Sequence, residues 1–424
     1  MLEQTQAPTS SSRLRTWFWM VLVALAIRLA VAGFLYPEHL NPDRDHWKFA
    51  GETGRIARSL AEGKGFSSPF FAETGPTAWL TPVFPLLLAG VFKVFGIYTK
   101  ASALAILGLD CLFSALTCIL VYLIARKSFG EKAALYSGWT WVFFPYSIFF
   151  AADFIWATTL SGLLVACLFL LVLYLHETSK LSYWIGFGVL AGFAALNDPI
   201  VMSVAPFLGA WCWYQRYRSG GRWLVPGLAA VVAVSLTVSP WFMRNYAEFG
   251  KFIPFRGNLG FEFYCGNNAD YWHWDPPGYH PSDTEQEWKE YQQLGEMGYM
   301  VRKRQQAFDF IDSHRGLYAE LTLRRVLYMW TGFWSFGARY LKEEPFDYAN
   351  IFFCTALTVF MLLGLRQAFR DGTGPPAPYI IVFVFFPLVY YLTHPEDYYR
   401  RPIDPLFVVL GVYGAMGLRK KQRA

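Results

Sequence analysis

The chain has 424 residues, 54% of them hydrophobic and only 16% charged, with a formal net charge of +6. Apolar runs of about twenty residues, the length that crosses a bilayer core, recur along it, which excludes an ordinary water-soluble protein of two or three domains. The positive charge does not point to nucleic acid: the basic residues gather in short connections, as they do on the cytoplasmic side of membrane proteins.

In chain order, the first dozen residues are polar and read as a cytoplasmic tail, 1–16. The run 17–36 follows Arg13 and Arg15, contains Arg28 and is too long for a cleaved leader, so it predicts an uncleaved first helix. Further spans are expected at 101–125, 132–150, 154–176, 182–197, 199–217, 223–241, 349–366, 378–394 and 403–418. The break inside 182–217 falls at Asn197-Asp198-Pro199, a helix-ending sequence. The apolar stretch 80–96 is not counted. Arg13/Arg15 and Arg126/Lys127 must lie on one side, so an even number of crossings separates them, and 80–96, with Pro82 and Pro85, is expected as an interfacial helix. The stretch 321–338 is treated alike. The expected organisation is a membrane module 17–241 with a first outer loop 37–100, an outer region 242–348, and C-terminal membrane helices 349–424. The basic clusters Arg13/Arg15, Arg126/Lys127/Lys132, Arg216/Arg218/Arg222, Arg366/Arg370 and 419–423 then share the cytoplasmic side.

Chemistry concentrates in the outer segments. The first loop holds Asp43, Asp45 and Glu52, with Arg55 and Arg58 after them. A helix from about Trp47 to Glu62 would put Glu52, Arg55 and Ser59 on one face. A carboxylate there suits a general base and an arginine suits a phosphate, but a solvated acidic loop fits the spacing at least as well. Arg400 and Arg401 lie outside against the charge rule, which an anionic lipid phosphate or interfacial snorkelling would explain equally. Within the spans, Arg28 and Asp110 are expected at matching depth and hence as a buried ion pair. Asp153 and Asp198 sit at outer turns and carry less weight. The six cysteines give no disulfide framework, and the seven histidines no zinc-type cluster.

The segments Glu52-Thr-Gly-Arg-Ile-Ala-Arg-Ser-Leu60 with Gly63, Gly65 and Phe66, then Pro82 to Gly96, Pro240 to Tyr246, Gly250 to Pro254, Gly266-Asn-Asn268, Leu294-Gly-Glu296 and Arg400 to Pro405 follow one another in order. Together they resemble the bacterial branch of the dolichyl-phosphate-mannose–protein mannosyltransferase superfamily (glycosyltransferase family 39), which includes the lipid A aminoarabinose transferases. The resemblance implies an all-α polytopic GT-C-type fold with about ten transmembrane helices and juxtamembrane helices on the outer face. It implies an inverting transfer from a polyprenyl-phosphate sugar to a protein, lipid or glycan acceptor at the periplasmic face of the inner membrane. The base would be Glu52 or Asp45, with Asp43 close by, and Arg55, Arg244, Arg400 and Arg401 would hold the donor phosphate. No cofactor is implied with certainty; a divalent cation on Asp43-x-Asp45 is one option and metal independence the other. Many members have an adjacent Asp-Glu pair, which is dispersed here, and a further arginine where this chain has Tyr398. A transporter or flippase of a lipid-linked sugar is the alternative, but no internal repeat of the kind transporters show is visible. A non-catalytic membrane scaffold is the third reading.

Overall fold

The computed structural model describes residues 10–39, 49, 51–269, 279–334, 336, 347–396 and 399–421. The expected runs fold as helices. The first is α1 (Ser10–His39), followed by the short α2 (Glu52–Ala61) and α3 (Val83–Phe95) of the first loop. Next come α4 (Lys100–Phe129), α5 (Glu131–Val142), α6 (Pro145–Asp153), α7 (Thr158–Leu175), α8 (Leu181–Asn197), α9 (Ala205–Arg218) and α10 (Leu224–Phe249). The loop region 242–348 supplies α11 (Leu259–Gly266), α12 (Glu285–Ser313) and α13 (Arg315–Thr331). The chain closes with α14 (Asp347–Asp371), α15 (Pro376–Phe385), α16 (Leu388–Leu392) and α17 (Asp404–Lys421). Among the described residues the only β-type pairing is an isolated bridge between Ser67 and Pro76.

Among the described residues five helices are long and apolar enough to cross a membrane: Ser12–Phe34, Lys100–Phe129, Thr158–Leu175, Leu224–Phe249 and Ala349–Asp371. The other expected spans are shorter or broken. Residues 132–150 divide between α5 and α6 at Pro145, where the ring cannot continue the ladder of the preceding turn. A 3-10 turn, Pro199–Ser203, precedes α9, and 378–394 divides into α15 and α16. At 13 residues α3 is about 20 Å long, too short to cross alone, and it packs on α2, α4 and α8.

The core lies where α4, α5, α7 and α17 meet. Without water to drive association, membrane helices gain by close backbone approach, and glycines permit it. On α8, a Cβ at Gly188 would sit 2.7 Å from the Ala233 Cβ, and one at Gly192 2.8 Å from the Thr237 Cβ, both on α10. The lipid-facing sides carry Val231, Val232 and Leu236 of α10 and Phe352 and Leu362 of α14, all exposed.

The expected Arg28–Asp110 ion pair does not form. Arg28 Nε donates to Ser114 Oγ at 2.8 Å, and the two terminal nitrogens donate to the carbonyls of Ala24, Val142 and Trp141 and to Ser147 Oγ at 2.6–3.2 Å. Ser114 lies four residues, one helical turn, beyond Asp110 on α4, so the depth match was wrong by about 6 Å. Neutral acceptors satisfy the guanidinium in place of a carboxylate. Both oxygens of buried Asp110 lack a hydrogen-bond partner among the described residues.

Candidate active site

Gly51, at φ 48°, turns the chain into α2, so that Glu52 opens the helix. Glu52, Arg55 and Ser59 fall on one face of it, and the helix is buried along most of its length, with Thr53, Gly54, Ile56 and Ala57 buried too. Burial alone would raise the Glu52 carboxyl. A hydrogen bond from His280 and the charges of His280 and Arg55 outweigh it, and the group lies below the ordinary glutamate value. Glu52 Oε1 is 2.9 Å from His280 Nε2. On the other side of the ring, the Ser282 N–H lies 3.1 Å from His280 Nδ1 and fixes the ring's orientation toward Glu52. Phe70, Trp79 and Phe261 hold the imidazole edge-on.

Glu52 lines a cavity of ≈ 110 Å³ shared with Trp79, Asp198, Arg256, Glu262 and Tyr399. Asp198 caps the turn after α8: its Oδ1 accepts from Ile200 N–H at 3.2 Å and its Oδ2 from Ser161 Oγ at 3.4 Å. Burial pushes this carboxyl up, only partly offset by Arg256. Glu262 of α11 accepts from Asn258 Nδ2 at 2.7 Å and pairs with His394 Nε2 at 2.9 Å. Burial opposes its charge, but His394 and Arg256 prevail and hold it low. His394 is also 3.4 Å from Glu396, and between two carboxylates it is pushed up to about 9 despite its burial. Arg256 makes no ion pair within 4 Å among the described residues; against burial, the nearby charges of Glu262 and Asp198 raise it further.

Two clamps hold the cavity walls. Arg325 of α13 donates to the carbonyls of Tyr391 (3.1 Å), Leu392 (3.2 Å) and Gly266 and to Asn267 Oδ1 (3.0 Å), tying His394's segment to the end of α11. Arg244 of α10 donates to the carbonyls of Thr77 at 2.6 Å and Phe66 at 2.7 Å, and Glu296 accepts from Thr77 Oγ1 and from Ala78 N–H at 2.7 Å. Together they fix the 66–78 loop, which carries Trp79 into the cavity. Glu296 follows Gly295, whose φ of 64° kinks α12.

The sequence-predicted residues therefore separate. Glu52 lines the cavity. Arg55, one turn along, lies under the loop, with Nη1 3.4 Å from the Pro69 carbonyl and its guanidinium 4.1 Å over Phe71. Arg244 donates to the carbonyls of Thr77 and Phe66 and to Asn245 Oδ1. Arg400 and Arg401 lie behind the Tyr399–Pro402 wall in smaller cavities, both paired with Asp404 at 3.2 Å, with Arg401 3.4 Å over the Tyr146 ring. Asp43 and Asp45 lie outside the described residues, as does Tyr398. Arg256, Glu262, His280 and His394 were missed. The one available signal was that each is an ionisable residue in an otherwise aromatic outer segment.

Residues 79–243 match the family model of dolichyl-phosphate-mannose-protein mannosyltransferases. The segment runs from Trp79 through Asp198 to Met243, within α10 and short of its end, and the resemblance read from the sequence agrees with it. An oligosaccharyltransferase from Archaeoglobus fulgidus, in complex with zinc and sulfate, shares the fold with a TM-score of 0.52 at 12% identity, over 95% of this chain and 49% of that one. The chain thus spans about half the length of that relative. ArnT from Cupriavidus metallidurans, bound to undecaprenyl phosphate, aligns with a TM-score of 0.42 at 15% identity, over 95% of this chain and 78% of that one. No curated relative matches at the sequence level. Over the described residues the fold is helical throughout and is the one shared with that oligosaccharyltransferase.

Proposed function

We propose that the protein is a membrane glycosyltransferase that moves a sugar from a polyprenyl-phosphate donor to an acceptor hydroxyl or amine. The observation that carries this reading is a low-lying, His-oriented carboxylate, Glu52, on the wall of a cavity that also presents the cation Arg256. Glu52 accepts the acceptor proton as the acceptor attacks the anomeric carbon, and the lipid phosphate leaves with inversion. Arg256 takes the phosphate, because among the described residues it is the cation that lines the cavity and it makes no ion pair within 4 Å. Arg400 and Arg401 pair with Asp404 behind the wall, so the phosphate is assigned to Arg256 rather than to them. Arg244 and Arg55 hold the loop. The acceptor works at the periplasmic face of the inner membrane in this proposal, and Asp45 and Asp43 remain the competing bases.

The test is transfer of labelled sugar from a polyprenyl-phosphate pool to an envelope acceptor fraction in proteoliposomes. General-base catalysis is worth about 10²–10⁴ in rate, so Glu52→Gln should lose that factor while the protein stays folded. Asp45→Asn should retain most activity. Near-normal transfer by Glu52→Gln with loss in Asp45→Asn would move the base to Asp45. Movement of the lipid-linked sugar across the bilayer without transfer would replace the reading with transport.

A further inference from the structure

Helix α11 separates two cavities. Asn258, Phe261 and Glu262 line the site just described, whereas Leu259, Gly260 and Phe263 open on an apolar groove of ≈ 410 Å³ completed by α12 and α16. Leu259, Val301, Phe308 and Leu392 along this groove are 48–60% exposed. One wall, α16, is the end of the apolar run Pro376–Leu392, so the groove begins where the bilayer is the solvent.

At this groove stands Arg304, packed over Gly260. It is the third of three successive cations on α12. Arg302 pairs with Glu290 at 3.6 Å, and Lys303 with Glu287 and Glu290 at 2.6 and 2.9 Å. Arg304 has no such carboxylate among the described residues, and it is exposed. A peptide laid in the groove would leave its N–H and C=O groups without partners, since the other polar side chain there, Thr393, already bonds the Val389 carbonyl at 2.9 Å. A hydrocarbon chain has no such need.

We propose that this groove binds an anionic phospholipid of the surrounding leaflet, one acyl chain between α11, α12 and α16 and its phosphate on Arg304. The site is independent of the transfer reaction, although through α11 its occupancy would steady Asn258 and Glu262 on the other face.

Native mass spectrometry of the whole protein, released from detergent with equimolar phosphatidylglycerol and phosphatidylcholine, reads this directly. The wild type should retain one phosphatidylglycerol with at least about fivefold preference, in line with about 1 kcal/mol per cation at an anionic surface. Arg304→Gln and Arg304→Glu, both surface changes, should bring the preference to about parity. Val301→Trp, which fills the groove, should lower occupancy by both lipids. Equal retention of the two lipids by the wild type, or an unchanged preference in Arg304→Glu, overturns the proposal. So does displacement of phosphatidylglycerol by an equimolar amount of undecaprenyl phosphate, which would give the groove to a polyprenyl tail. None of these readouts depends on whether transfer occurs.

Discussion

At the scale of single residues, the site is a set of carboxylates kept ionised by specific neighbours. Glu52 is held low chiefly because His280 answers its burial. Removing the imidazole in His280→Ala should therefore let burial prevail and raise the carboxyl. The acid limb of the transfer rate against pH should move upward, with activity at pH 7 falling roughly 10-fold or more. A mere packing defect would lower the rate without moving the limb. Arg256→Gln should raise the apparent KM for the donor more than it lowers kcat, and Arg256→Lys should recover part of the loss. His394 makes a stability prediction. Its folded pKa of about 9 lies above the ordinary histidine value, so its contribution is complete below about pH 6.5 and is lost as pH rises through 9. That contribution is worth about 3 kcal/mol. Thermal unfolding in detergent should show the wild type losing stability between pH 7 and 10, and His394→Gln should be less stable than wild type at pH 6 but flatter over that window. Of this chemistry, Glu52 and its buried helix face were readable from the sequence. Its partner was not: His280 lies 228 residues away, and no local pattern links a base to a histidine across that distance.

At the scale of helices, the apolar runs were legible because length and hydropathy act locally. The interruptions were only partly so. In the sequence Asp198 carries little weight because it lies in a turn, yet that turn places it in the cavity with Arg256. The Arg28–Asp110 pairing fails for a comparable reason, since span ends read from hydropathy place a residue's depth only to within about one turn, and Arg28 meets Ser114 one turn from Asp110. Tight helix contacts were also hidden, because a glycine in an apolar run does not announce its partner. At Gly188 an added Cβ meets the Ala230 carbonyl and the Ala233 side chain of α10, both on a packed helix. Gly188→Val should cost about 1–3 kcal/mol by overpacking and lower the apparent Tm in detergent. Gly186→Val, where a Cβ meets nothing within 4 Å, is the control and should leave it unchanged within error.

For the whole molecule, orientation follows from parity and from one long helix. The 66–78 loop and α12 lie on the same face, because Glu296 binds Thr77 and Ala78 while Arg244 binds the carbonyls of Phe66 and Thr77. The Arg216–Arg222 cluster lies beyond the other end of α10, whose 26 residues span about 39 Å, more than a hydrocarbon core. If that cluster is cytoplasmic, as short basic connections are, then both loops are outside. Single cysteines placed at Glu73, Lys289 and Ser219 in a background lacking the six native ones test this chain of argument. Glu73 and Lys289 have side chains 72% and 62% exposed, and both should react with an impermeant maleimide added to intact cells. Ser219, exposed within the basic connection, should react only after permeabilisation. Reaction of Ser219 and Lys289 from the same side would mean that α10 does not cross. Reaction of all three with the sides reversed would leave the fold and cavity intact but place the chemistry on the cytoplasmic face. The donor would then have to be drawn from the inner leaflet.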